Sequence, residues 1–245
     1  VVTKEKSGLW TDGRYFIQAE RELSGSGIKL FRMGAPGVPA YQEFLADTLE
    51  PGDTVAFDGR MFSASDVEAM ERRFAVRKIK TGSVDLISPL WQDRPLPPAT
   101  RVGLHDVSYA GLSCAQKLAK VRAALKKRGA DGQIYARLDC VAWLCNIRAS
   151  DIEYNPVAIA YAAVFSDEAY LFLDSSRLEP AARRALKQSG VTLRGYEEIG
   201  PFLKAAAVPG TMLVDASGIN YELYRILKEN PVISIRPGPD LVTEL

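Results

Sequence analysis

Four aspartates close short apolar runs: Asp12 after Gly-Leu-Trp-Thr, Asp58 after Thr-Val-Ala-Phe, Asp174 after Tyr-Leu-Phe-Leu and Asp215 after Met-Leu-Val. In open α/β sheets ligands gather outside the carboxyl ends of strands. Carboxylates clustered there could hold Mg²⁺ or Mn²⁺ for a two-metal nuclease. The competing reading is that each aspartate caps the turn into the next helix. Other chemistry is scarce. The chain has one histidine, His105, and three cysteines, Cys114, Cys140 and Cys145. A conventional zinc site needs several His or Cys ligands, and a nucleophilic triad would have to use His105 as its only base. Cys140 and Cys145 have neither redox nor zinc-knuckle spacing. The cysteines fall on apolar helix faces and read as buried, inert thiols.

Two segments are richer than a fold requires. In Trp10-Thr11-Asp12-Gly13-Arg14-Tyr15-Phe16 an arginine directly follows a strand-end Asp-Gly, and Gly13 permits a tight turn. Arg14 either projects a fork of donors into a cleft or pairs with Asp12 on the surface. The second segment runs from Trp143 to Pro156 and concentrates Asn146, Arg148, Asp151, Glu153, Tyr154 and Asn155 between a helix and a strand. Its alternative reading is an ordered loop pinned by its own side chains. Phosphate loops are absent, because Ser24-Gly25-Ser26-Gly27 precedes a strand instead of following one. Lys120, Arg122, Lys126 and Lys127 lie opposite an apolar stripe and read as a solvated face. His105 reads as an exposed loop residue.

The elements that must position these groups alternate. Helical stripes are expected over 15–23, 41–49, 65–74 (with Ser65 as N-cap), 114–125, 178–188 and 219–227. Strands are expected over 28–33, 54–58, 76–79, 133–138, 191–196, 211–214 and 232–236. Asp139 would cap a short helix carrying Val141, Leu144 and Cys145. Runs 157–165 and 169–174 form a hairpin through Ser166-Asp167-Glu168. Arg94–Thr100 holds three prolines in seven residues and reads as a linker. That gives domains at 1–94 and 105–245, with 95–104 between them.

The two parts repeat each other. Asp12 and Asp174 stand 162 residues apart, Asp58 and Asp215 157, Val76 and Val232 156, and Asp85 and Asp240 155. PGDTVAFDG (51–59) resembles PGTMLVDASG (209–218). Paired aspartates at equivalent places favour the capping reading. Residues 107 to about 163 have no counterpart before Val1, so the first copy lacks its opening strands, and the chain is expected to be a piece of a longer protein.

Composition narrows the function. The 245 residues carry 31 Lys+Arg against 30 Asp+Glu, a net charge of +1, too balanced for a general nucleic-acid binder. No run approaches the length of a membrane helix and no secretory leader is visible. With an odd thiol count, these point to a reducing, cytoplasmic setting and no membrane partner.

LWTDGRYFIQAE, with LDCVAWLCNIRASDIEYNPVAIAYAAV much later, resembles the three-domain, cytosolic type of Xaa-Pro aminopeptidase (aminopeptidase P). Trp91–Pro95 (WQDRP) and SYAGLSCAQKLAKVR (108–122) are similar too. Arg137, Cys140 and Ala149 depart from the family's usual small residue, acid and glycine. The resemblance implies an α/β fold of two tandem creatinase/prolidase N-terminal-type domains, ribonuclease H-like, each a mixed sheet flanked by helices. It implies that the pita-bread catalytic domain is absent, and with it two divalent metal ions, usually Mn²⁺. No residue here matches those ligands, so neither a catalytic residue nor a cofactor is expected in this chain. It implies Arg14 as the residue that contacts bound peptide, a substrate with proline in second place, and a homodimer. The fragment would supply scaffold, a wall of the substrate cleft and oligomer contacts. The alternatives are a small-molecule or metal-dependent nucleic-acid enzyme built on the strand-end aspartates, and a catalytically silent interaction protein of the same fold.

Overall fold

The computed structural model describes residues 1–205 and 210–245. Pro209, which opens one of the repeated sequences, lies outside the described residues. Internal contacts divide the chain into two compact units, Val1–Ala56 with Glu68–Gly82, and Phe57–Val67 with Ser83–Leu245.

The first copy of the repeat runs β1 (Gly8–Thr11), α1 (Phe16–Glu22), β2 (Lys29–Arg32), α2 (Tyr41–Thr48), β3 (Thr54–Phe57), α3 (Ala64–Val76) and β4 (Lys80–Ser83). β1 pairs with β2 in parallel, β3 pairs with β4, and the two pairs are separate sheets. The first unit's core is aromatic. The Trp10 and Phe31 rings stack at 3.9 Å with Phe44 beside both, and the Trp10 indole N–H donates to the Pro39 carbonyl at 2.8 Å. Gly8 lets these rings close up, since a Cβ there would lie 2.6 Å from the Phe31 ring.

The chain continues through β5 (Gly103–Leu104), α4 (Val107–Ala110), α5 (Cys114–Lys127), β6 (Gly132–Tyr135), α6 (Leu138–Cys145), β7 (Ile147–Arg148) and β8 (Tyr161–Phe165). It then repeats the first order: β9 (Ala169–Phe172), α7 (Pro180–Gln188), β10 (Val191–Arg194), α8 (Ile199–Lys204), β11 (Gly210–Val214), α9 (Tyr221–Glu229) and β12 (Ile233–Pro237). The second unit's sheet has the order β10-β9-β8-β6-β11-β12. β8 is antiparallel to both neighbours, and the other pairs are parallel. Both faces are covered, so its strands alternate between two apolar clusters. Ala162, Val164, Leu171, Leu213 and Tyr135 pack with α5, α6 and α7. Ala163, Phe172, Met212, Val214 and Ile134 pack with α8 and α9. Burial on two faces explains the near-continuous apolar runs that read as strands.

Several expected boundaries move. Val76 ends α3 instead of opening a strand, and it is exposed. Its equivalent is therefore the end of α9 and not Val232, which precedes β12. The α3 helix begins at Ala64, and the Ser63 hydroxyl accepts from the Asp66 N–H, so the cap is Ser63 and not Ser65. Leu138 starts α6, which puts Asp139 inside the first turn instead of at the cap. His105 is half-buried, with its ring stacked on Tyr109.

Within the second unit the loop before α3 meets its repeat equivalent before α9. Ala64 N–H donates to the Ile219 carbonyl (3.0 Å), and Tyr221 N–H donates to Phe62 (2.9 Å). Ser65 N–H donates to Ala216 (2.9 Å), and Glu222 N–H to Gly59 (3.2 Å). Ser63 and Asn220 form the antiparallel bridge between them. The 157-residue offset that relates Asp58 to Asp215 turns each bond into its partner, so the loops are related by a local twofold exchange.

Candidate functional site

Each strand-end aspartate folds back on its own turn. Asp12 accepts from the Arg14 N–H, Asp58 from Arg60, Asp174 from Ser176 and Asp215 from Ser217, all two residues on. This is the Asx turn expected of a short side chain at a strand exit. Among the described residues, no three His, Cys, Asp or Glu side chains are grouped as metal ligands would be.

The repeat extends one step further. Asp85 Oδ1 accepts from the N–H groups of Ile87 and Ser88, and Asp240 Oδ1 accepts from those of Val242 and Thr243. In the first copy Arg60 bridges Asp58 and Asp85, at 2.6 Å to each. Hydrogen bonds from Ser88, Ile87 and Arg60 hold Asp85 well below the usual carboxylate range. In the second copy Ser217 stands where the arginine was, and Asp240 is 5% exposed. Burial, with Asp215 nearby, pushes Asp240 up despite the Cys140 thiol and two N–H donors.

Arg14 follows the Asp12 cap. Its Nε donates to Asp12 Oδ1 (2.9 Å) and its Nη2 to Asp12 Oδ2 (2.8 Å), while its guanidinium lies 5.6 Å from the Tyr15 ring. The arginine is thus paired with Asp12, and its side chain is still 80% exposed. The Arg14 hydrogen bonds lower Asp12 to about 2, so the pair is fully ionised at neutral pH. A guanidinium has five N–H donors, and the carboxylate engages one edge of the fork. The remaining hydrogens are left to solvent, since the side chain is largely exposed.

The polar segment after α6 is pinned by groups from outside it, which its own sequence does not contain. Asp151 accepts from the Thr100 hydroxyl (2.6 Å), the Ile159 N–H (2.7 Å) and the Arg177 guanidinium. The Asp151 side chain is fully buried and that of Arg177 is 9% exposed. Burial works against the charge, and these donors outweigh it, keeping Asp151 below its ordinary value. Arg177 Nε also donates to the Thr100 carbonyl, which ties the end of the proline-rich run to the sheet. At the other end, Lys117, on the same helix as the solvated Lys120, Lys126 and Lys127, is 1% exposed. Its Nζ donates to the Trp143 carbonyl (2.8 Å) and to Asn146 Oδ1 (2.5 Å), 4.1 Å from the Trp143 ring centroid. Asn146 caps α6 in the left-handed region at φ 51°. Lys117 stands on the same face as Leu118 and Val121, and that placement was the signal in the sequence.

Residues 1–87 and 93–244 each match the creatinase/prolidase N-terminal domain model. The chain belongs to that family. The two matches leave no room among its 245 residues for a pita-bread catalytic domain. Aminopeptidase P2 of Arabidopsis thaliana is 39% identical over 233 residues, 93% of this chain and 33% of that protein. A probable Xaa-Pro aminopeptidase P of Laccaria bicolor is 42% identical over 202 residues, 81% of this chain and 31% of that protein. The crystal structure of X-prolyl aminopeptidase from Caenorhabditis elegans, described as a cytosolic enzyme with a di-nuclear active site, superposes with a TM-score of 0.88. It is 30% identical and covers 98% of this chain and 40% of its own. The creatinase-type resemblance carried by WTDGRYF and the 138–164 segment therefore holds. The chain spans about a third of the length of the curated relatives it matches.

Proposed function

We propose that this chain is the non-catalytic N-terminal portion of a Xaa-Pro aminopeptidase, which releases the first residue of peptides whose second is proline. The observation that carries the reading is the superposition on the C. elegans X-prolyl aminopeptidase over 98% of the chain. Residues 1–94 and 105–245 act as two domains joined by 95–104. They supply the scaffold, contacts for a homodimer and a wall of the substrate cleft, in a cytosolic enzyme. The residues of this chain do not fit a di-nuclear metal centre: there is one histidine, the strand-end aspartates are spent on turns and arginines, and among the described residues no three His, Cys, Asp or Glu are grouped as ligands would be. Metal chemistry, with Mn²⁺ in the resemblance, is therefore assigned outside it, and the 245-residue chain alone should neither bind Mn²⁺ at micromolar concentration nor cleave an X-Pro peptide. Calorimetry with Mn²⁺ checks this. Tight binding coupled to hydrolysis would favour the metal-dependent nucleic-acid or small-molecule alternative.

Arg14 is the substrate contact. Asp12 aims the guanidinium, whose free N–H groups donate to peptide carbonyls, and such positioning is costly to lose even away from the bond cleaved. In the whole enzyme Arg14→Ala should lower kcat/KM by roughly 10- to 150-fold, the worth of a charged hydrogen bond, with no change in melting temperature. Arg14→Lys should recover part of this, because an ammonium lacks the fork. Unchanged kinetics in Arg14→Ala would reduce the residue to a surface partner of Asp12.

A further inference from the structure

The end of α5 and the turn between β8 and β9 border a groove of about 550 Å³. Small-molecule sites run from roughly 300 to 1,000 Å³. The polar part of its wall is Arg122, Lys126, Asp131 and Ser166. Asp131 and Ser166 precede β6 and β9, whereas Asp174 and Asp215 follow β9 and β11. The groove therefore lies at the opposite edge of the sheet from the second unit's strand-exit aspartates.

Its charge is uncompensated. Residues 107–130 hold four lysines, two arginines and no acid, in a chain whose net charge is +1. Arg128 pairs with Glu244, but Arg122 and Lys126 have no carboxylate partner among the described residues. They stand four apart on one edge of α5, a like-charged spacing that destabilises a helix. The helix dipole accounts for a cation in the last turn, such as Lys126, but Arg122 lies before that turn. Its Nε donates to the Phe165 carbonyl at 3.0 Å, which turns the guanidinium toward the β8–β9 turn and leaves both terminal nitrogens unengaged. A third guanidinium reaches the rim, since a Cβ at Gly129 would lie 3.0 Å from Arg236 Nη1. Gly129 has φ 58°, so its missing side chain is required by the turn as well. The groove's carboxylate, Asp131, accepts from the Thr211 N–H through Oδ2 at 2.7 Å, and its Oδ1 makes no hydrogen bond in the fold. Ser166 adds an exposed hydroxyl.

We propose that this groove binds a small hydroxylated phosphomonoester. The cations come from α5 and take the dianionic head, with the two terminal nitrogens of Arg122 donating to phosphate oxygens and Lys126 adding a point charge. The hydroxylated end meets Asp131, which accepts from it, and Ser166. Asp131 also sets the preference for an ester over free phosphate, because a bare dianion finds no donor there and is repelled.

The test titrates the intact, nitrogen-15-labelled chain with glycerol 3-phosphate and with inorganic phosphate at fixed ionic strength, following amide shifts. The ester should give saturable shifts centred on Gly129, Ala130, Asp131 and Ser166, and should bind more tightly than phosphate. Lys126→Gln and Arg122→Gln should each weaken it by about tenfold, the lower end for a charged hydrogen bond. Asp131→Asn, which keeps an oxygen for Thr211, should remove the preference for the ester. Lys126 makes no hydrogen bond in the fold, so its variant decides the matter even if Arg122→Gln misfolds. Shifts that do not saturate, or that spread equally to Lys120 and Lys127, would mean diffuse attraction to a basic helix and overturn the proposal. So would phosphate binding as tightly as the ester, or an affinity unchanged in Lys126→Gln.

Discussion

In the second unit the parallel pairs β9–β10 and β11–β12 are joined through the antiparallel strands β8 and β6 into one six-stranded sheet. The equivalent pairs β1–β2 and β3–β4 have no strand between them. Each strand–helix–strand piece therefore forms from its own local sequence, whereas continuity of the sheet depends on a central pair. The strand-exit turns make the same point. Asp12, Asp58, Asp174 and Asp215 form the same turn in both copies. What surrounds each turn differs, and that difference decides whether a neighbouring carboxylate is paired and half-buried, like Asp85, or buried without an arginine, like Asp240.

The largest break should come from the staple that only the second unit has. Asp151→Ala leaves Arg177 buried without its carboxylate, and losing one partner of such a pair costs about 3–5 kcal/mol. Chemical denaturation followed by hydrogen exchange should show the loss in residues 83–245, with amides of 1–56 unaffected.

A smaller effect belongs to the first unit. Gly8→Ala drives a methyl into the Phe31 ring and Trp10, an overpacking worth about 1–3 kcal/mol. Tryptophan fluorescence should report the disturbed stack. An unchanged midpoint would mean that the rings can separate at little cost.

The smallest effects separate the equivalent carboxylates by sign. Burial raises Asp240, so its contribution to stability is fully present below the unfolded-state pKa and is lost as pH rises through the folded value. Asp240→Asn keeps the oxygen that accepts from Val242 and Thr243, and it should stabilise the chain at pH 7 but not at pH 3. Asp85 is depressed, so its contribution is present above the unfolded pKa and lost as pH falls through the folded one. Asp85→Asn should destabilise at pH 7, with the difference vanishing in acid. Melting curves from pH 3 to 8 check both, and parallel profiles would refute the contrast.

What the sequence revealed followed the range of each interaction. The αβ order, the repeat and the doubly covered sheet were legible because apolar spacing and Asp-Gly exits are local signals. Val76 misled because a β-branched residue at an exposed helix end resembles a strand start. Asp139 misled because Leu138 already has helical geometry. The burial of Lys117 was not legible, because the groups its ammonium bonds, Trp143 and Asn146, lie 26 and 29 residues away. Arg14 stood out as an arginine directly after an Asp-Gly turn, but its bidentate hold on Asp12 and its exposure were not readable from that spacing.

The twofold exchange between the loops before α3 and α9 has a further consequence. Two identical chains meeting through such a surface would present the same residue twice, and their pairing would weaken on dilution. Here one chain carries both halves, so the pairing is a first-order event and its midpoint should be independent of protein concentration. Having two gene-encoded halves also frees them to differ. Ala64, fully buried, and Gly59 on one side answer Tyr221 and Ala216 on the other. Such unlike residues at equivalent places, Ala64 for Tyr221 and Gly59 for Ala216, are what a true homodimer could not encode, because a single codon would set both at once.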